Sequence, residues 1–253
     1  MKSRFARDRV CFHFEKIHLT PGVSIKFGGD EMSTAILACE TLADYVALAQ
    51  KKEGTDYPVF YLNRRLHENP ENMKNHIVSE ISKMPEEIDT VLAATGFCGG
   101  AWDKLSFDRR IVIPRVDDCV TLLLHTDDTY HLDLKKLGHF YMTEWDPDYF
   151  SPQTMFDQLC ENFDPEDAKE VLDMWFANYS HLDVIDTGCF DCYERKYVAK
   201  VQSQAELIGC MLEYVPGSNR ILEKLVGGRW DEQFFVAEPG RQILYGDFFA
   251  GKC

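Results

Sequence analysis

The chain has 253 residues, 45% of them hydrophobic and 27% charged, which suits one large domain or two small ones with a full core. Its 42 acidic and 27 basic residues leave a formal net charge of −15, a surface that repels phosphate backbones and anionic lipid heads. Apolar runs fall short of the roughly 18 residues of a membrane span, and the patch 10–14 behind the basic start is too short and polar for a signal peptide. A soluble, cytoplasmic protein that binds neither nucleic acid nor membrane is the expectation.

Residues 1–31 lack the periodicity of the remaining chain and end in Gly28-Gly29-Asp30-Glu31 before Met32. A purine-rich stretch that positions a bacterial or archaeal ribosome would encode such a tetrapeptide. Met32 is therefore expected to be the translation start, with 1–31 a translated leader; a disordered arm is the alternative. Residues 32–253 are expected to form a single α/β domain.

From Met32 on, strand-like apolar runs alternate with helical patterns. Strands are predicted at 34–38, 59–62, 90–94, 110–113, 139–143, 182–185, 211–215 and 233–237. Helices are predicted around 42–49 and over 70–84, 120–124, 152–162, 165–178, 195–209 and 218–226, with prolines and glycines marking several of their ends. Apolar runs without alternation read as strands buried on both faces, and intervening helices as crossovers. The expected fold is an open, mostly parallel three-layer α/β sheet of the Rossmann-like kind, with 152–178 as a possible helical insertion or cap.

Nine cysteines, at 11, 39, 98, 119, 160, 189, 192, 210 and 253, are too many to pass over and odd in number, which argues against a secreted disulfide framework. In open α/β sheets ligands bind beyond the carboxyl ends of strands. Cys39 closes the first strand, Cys98 lies in Thr95-Gly96-Phe97-Cys98-Gly99-Gly100 after the 90–94 strand, and Cys119 comes after the strand ended by Pro114. Three thiols from three strand ends are thus aimed at one crevice, unless each is a small buried hydrophobe. An aspartate cap at Asp117 or Asp118 would put Cys119 in a helix's first turn, where the dipole favours thiolate. Three thiolates suit zinc or a [4Fe–4S] cluster and leave a fourth position open.

Gly96, Gly99 and Gly100 are candidates for close backbone approach to a cofactor, although they form neither a dinucleotide fingerprint nor a Walker loop. Arg115 is a candidate for holding an anionic substrate group, or else an ion-pair partner of Asp117. Glu40 is a candidate acid/base group, or simply a first-turn carboxylate. Cys189 and Cys192 make one C-x-x-C: a redox pair, a source of a fourth ligand, or two incidental loop cysteines. Asp186-Thr187-Gly188 lacks the second carboxylate and β-rich frame of an aspartic protease. His67, His125, Cys11, Cys160, Cys210 and Cys253 read as incidental.

Ala38-Cys39-Glu40, Arg65-Leu66-His67 with Pro70, Gly96-Phe97-Cys98-Gly99, Ile113-Pro114-Arg115 with Asp118-Cys119, and Gly228-Arg229-Trp230-Asp231 with Pro239-Gly240 occur in that order. In these motifs the chain resembles the family catalogued as domain of unknown function 1638, which frequently has histidine where this chain has Asp117. The resemblance implies an origin in anaerobic bacteria or methanogenic archaea and a link to corrinoid-dependent methyltransferases in methyl or one-carbon metabolism. Three functions remain open on the sequence: a zinc- or cluster-binding enzyme, a non-catalytic accessory or metal carrier partnering a corrinoid protein or methyltransferase, and a metal-free enzyme with a cysteine nucleophile.

Overall fold

The computed structural model describes residues 33–64, 69–144 and 150–249. The expected leader 1–31, the Met32 start, His67, Cys11 and Cys253 lie outside the described residues. Among the described residues eight strands form: β1 (Ser33–Cys39), β2 (Val59–Leu62), β3 (Ile88–Ala94), β4 (Arg110–Pro114), β5 (His139–Met142), β6 (His181–Asp186), β7 (Met211–Pro216) and β8 (Phe234–Ala237). The helices are α1 (Ala43–Glu53), α2 (Pro70–Lys83), α3 (Cys119–Leu124), α4 (Pro152–Leu159), α5 (Pro165–Phe176), α6 (Arg195–Leu207), α7 (Arg220–Val226) and α8 (Tyr245–Phe249). No helix among the described residues is long and apolar enough to cross a membrane.

Local chemistry sets the helix ends. Asn69 caps α2 by accepting from the amides of Glu71 and Asn72, with Pro70 at the first helical position, where a missing N–H costs nothing. Asp164 and Pro165 repeat that arrangement on α5, and Ser151 with Thr154 forms a capping box on α4.

The α/β architecture is the expected one, and its strands divide into two sheets. The first has the order β2-β1-β3-β4-β8, parallel except for β8, which runs antiparallel to β4. The second is β5-β6-β7, all parallel. The pair α4 and α5 is the connection between β5 and β6, so the stretch 152–178 is a crossover of the second sheet.

Alternation along each strand of the first sheet separates two cores. Ala35, Leu37, Val91, Ala93, Ile111 and Ile113 face α2, Trp102 and Phe248 of α8. Ile36, Ala38, Leu92, Ala94 and Val112 face α1, α3 and α7. This second core also takes in Ile185, with Tyr141 and Val215 packed against it, so it reaches the second sheet. The other face of the second sheet, with Met142, Leu182 and Val184, packs on α4, α5 and α6.

Two buried polar features tie the frame together. Lys224 of α7 is 5% exposed and donates to Asp128, Asp231 and Gln233, so its ammonium is fully engaged. In the second sheet Asp183 is 0% exposed and its Oδ2 lies 2.8 Å from Nδ1 of His139. The His139 ring stacks on His181, its cross-strand neighbour, at 4.2 Å.

Trp102, fully buried within the β3–β4 connection, donates from Nε1 to the equally buried Thr95 hydroxyl at 3.2 Å. Trp102→Ala opens a cavity and strips Thr95 of a partner. Urea denaturation is expected to show a loss of about 3–5 kcal/mol.

Candidate functional site

The first sheet changes winding direction between β1 and β3: the chain steps from β1 to β2 on one side, then crosses to β3 on the other. A crevice opens at the carboxyl ends of strands that part in this way. Cys39 is the last residue of β1, Cys98 lies four residues beyond β3, and Cys119 opens α3 behind β4. Cys39 and Cys98 are buried and Cys119 is partly exposed. The Cys119 side chain lies close enough to those of Cys39 and Cys98 and to the Gly96 backbone for each to act on its charge. All three strand-end thiols therefore occupy one neighbourhood, and Cys39 also meets the Thr41 hydroxyl at 3.1 Å.

Backbone contacts hold this arrangement. The amides of Phe97 and Cys98 donate to the carbonyls of Val116 and Asp117 at 2.9 and 2.7 Å, so the two loops bearing Cys98 and Cys119 run backbone to backbone. Gly96 permits the approach: a Cβ there would lie 2.5 Å from the Cα of Asp118. Cys98 itself has φ +48°, in the left-handed region that costs a non-glycine residue about 1–3 kcal/mol. Gly99 continues the left-handed turn at φ +67°, where a Cβ would lie 3.1 Å from the Pro70 ring of α2, while Gly100 has φ +97°. The contacts of Gly96 and Gly99 are thus with the protein's own loops and helix.

Asp118 caps α3, accepting from the Thr121 amide, and Cys119 occupies the first helical position as expected. The expected fall in its pKa does not occur. The Cys39 contact favours the thiolate, but the hydrogen bond given to Cys98, burial and repulsion from Cys98 outweigh it. Cys119 titrates well above an ordinary thiol. A six-residue helix contributes too little to reverse burial among sulfur neighbours.

Arg115 and Glu40 serve backbone. Arg115 donates from Nε to the Asp247 carbonyl at 3.1 Å and from Nη1 to that of Glu232 at 3.0 Å, and lies over the Tyr130 ring. Asp117 pairs with Lys135. Glu40 accepts from the Arg64 amide at 3.2 Å and so fixes the chain leaving β2. His125 is buried, with Nδ1 2.9 Å from the Thr121 carbonyl, and burial lowers its pKa. Cys189 and Cys192 are free thiols that face different cores, Cys189 the one shared between the sheets and Cys192 the one under α6. Burial pushes the Cys192 thiol up to about 11.

Sequence reasoning missed Lys135. Its ammonium contacts Asp117, Asp118 at 3.1 Å, Asp133 at 2.9 Å and the Thr121 hydroxyl at 2.9 Å. Burial opposes its charge, but the Asp117 hydrogen bond and the other carboxylates raise its pKa. One ammonium shared among three carboxylates does not fully offset burial of Asp117, whose pKa is raised by that burial and by Asp118. A single lysine in the polar 125–138 connection has no spacing signal that marks it.

The thiols are set as hydrogen-bonding partners, and the described residues contain no preassembled group of three or more His, Cys, Asp or Glu side chains that could hold a metal ion. Fold and site define an α/β protein with three neighbouring thiols beyond the strand ends at the switch point of a mostly parallel sheet. A family model described as "Protein of unknown function (DUF1638)" matches residues 61–226, and the chain belongs to that family. The match includes Cys98 and Cys119; Ala38-Cys39-Glu40 and Gly228-Arg229-Trp230-Asp231 lie outside it. No curated protein and no solved structure matches the chain.

The crevice geometry sets two expected outcomes. Gly96→Ala forces the two loops apart and should lower stability by about 1–3 kcal/mol in urea denaturation. In the metal-free protein, iodoacetamide at pH 8 should alkylate Cys119 more slowly than free cysteine, with the rate still rising above pH 9 as thiolate forms.

Proposed function

We propose that Cys39, Cys98 and Cys119 bind a soft metal, as zinc or as a [4Fe–4S] cluster, and that the chain serves methyl or one-carbon metabolism in the cytoplasm of an anaerobe beside corrinoid-dependent methyltransferases. The observation that carries the metal reading is the meeting of Cys119 with both Cys39 and Cys98 beyond the strand ends at the switch point. Sulfur donors match both groups, and three of them leave a fourth coordination position for substrate. The link to corrinoid proteins rests on the family resemblance alone.

A group so held supplies a Lewis acid with an open position. The chain's own part is to gather the donors and release their protons. Cys119 is a neutral thiol at pH 7 without a metal, so binding must displace its proton. Affinity accordingly falls as pH falls. The loop contacts of Gly96 and Cys98 set two of the three sulfurs before any metal arrives, which lessens the ordering that binding requires.

The accessory or carrier reading has support of its own. Arg115 and Glu40, the candidate catalytic groups, are engaged in holding backbone. A metal-free nucleophile is the less favoured reading, because the raised pKa of Cys119 works against a standing thiolate there.

Anaerobic purification followed by metal and acid-labile sulfide analysis tests the reading. Cys39→Ser, Cys98→Ser and Cys119→Ser should each lower bound metal about tenfold or more, while Cys160→Ser and Cys210→Ser leave it unchanged. Acid-labile sulfide marks the cluster, and its absence marks zinc. Equal metal content in all five variants would overturn the site.

A further inference from the structure

We propose that Lys135 is the positioning residue of the thiol crevice, acting through Asp117 and Asp118 on the backbone that sets Cys98 and Cys119; its effect on metal affinity rests on the metal reading above.

Lys135 belongs to the connection between α3 and β5, distant in sequence from every strand end of the first sheet. Its ammonium meets the side chains of Asp117 and Asp118, the two residues just before Cys119. The same stretch is anchored twice more, by the Asp117 amide donating to the Leu132 carbonyl at 2.9 Å and by the Thr121 hydroxyl donating to Asp133 at 3.2 Å. Asp133 in turn accepts from the Lys135 amide at 2.8 Å, which shapes the turn that presents the ammonium. The Asp117 carbonyl is the acceptor for the Cys98 amide, and the residue after Asp118 is Cys119. One side chain thus grips the peptides from which two of the three sulfurs are hung.

The grip is electrostatic in origin. Asp117, Asp118 and Asp133 would repel one another at this range in a chain of net charge −15. The ammonium between them turns that repulsion into attraction at partial burial, where it is screened less than on the open surface. Removing the charge while keeping the stem should let the 116–118 loop spread and the left-handed turn at Cys98 relax, because no other ammonium or guanidinium pairs with Asp117 or Asp118 among the described residues. Lys224 supplies the comparison: it too is engaged with carboxylates, but on α7 and with Asp128 and Asp231 in place of Asp117 and Asp118.

Wild type, Lys135→Met, Lys135→Arg and Lys224→Met are to be compared anaerobically by two measurements. Zinc affinity is read by competition with a chromophoric chelator, and amide hydrogen exchange at Cys98 and Asp117 is read on metal-free protein. Lys135→Met should weaken zinc about tenfold or more and speed exchange at both amides by a similar factor, and Lys135→Arg should recover most of both losses. Lys224→Met should lower the melting temperature and leave zinc affinity and those two amides near wild type. Wild-type behaviour of Lys135→Met, or the same changes in Lys224→Met, would overturn the proposal. Should wild type take up no zinc, the zinc form of the metal reading fails by itself, and Lys135 is judged by exchange: acceleration confined to Lys135→Met sustains its role, and none overturns it.

Discussion

The crevice depends on one close approach, that of the loop after β3 to the loop after β4. Two amide–carbonyl bonds, Phe97 to Val116 and Cys98 to Asp117, join them, and a hydrogen atom in place of a side chain at Gly96 makes the join possible. That seam governs the rest of the site. Cys98 is held in the left-handed region, and Cys119, delivered at the start of α3, meets both Cys98 and Cys39 at the end of β1. Parallel strands bring the three loops to the same edge; only the seam brings three sulfurs into contact.

The site's electrostatics oppose a resting thiolate. Cys39 favours a Cys119 thiolate, but Cys98 and burial together favour the neutral form more, and the dipole of a single short helix does not reverse that. A cation in the crevice is the natural way to keep several thiolates together, whereas a cysteine serving alone as a nucleophile would gain from a basic neighbour that the contacts of Cys119 among the described residues do not include. The nearby positive charge is Lys135, committed to carboxylates.

Much of this was legible in the sequence. The eight strands and the main helices announce themselves because apolar runs such as those ending at Ala38, Ala94 and Pro114 are broken by glycine, proline and capping aspartate or asparagine. The convergence of Cys39, Cys98 and Cys119 comes from a rule about strand ends and needs no distances. The division into two sheets was not legible: a run like that at 182–185 looks the same whichever sheet receives it. Nor were the engagements of Arg115 and Lys135, since a cation's partner is chosen by loops that can fold back from over a hundred residues away, as Asp247 and Glu232 do to Arg115. The sequence motif around Cys119 suggested a lowered pKa because helix position is local information and burial is not.

The Asp183 carboxylate beneath His139 carries a consequence for the second sheet. Parallel strands joined by long crossovers have no tight turn to fix how one slides against the next, and a slip of one residue exchanges the two faces. Here a slip of β5 along β6 would trade His139 for an apolar neighbour and leave a carboxyl group with no accessible surface facing hydrocarbon. That misalignment is costly because the group would be dry and unpaired. Asp183 therefore acts as a ratchet tooth: a one-residue slip strands it, whereas the observed alignment sets His139 against it and stacks that ring on His181.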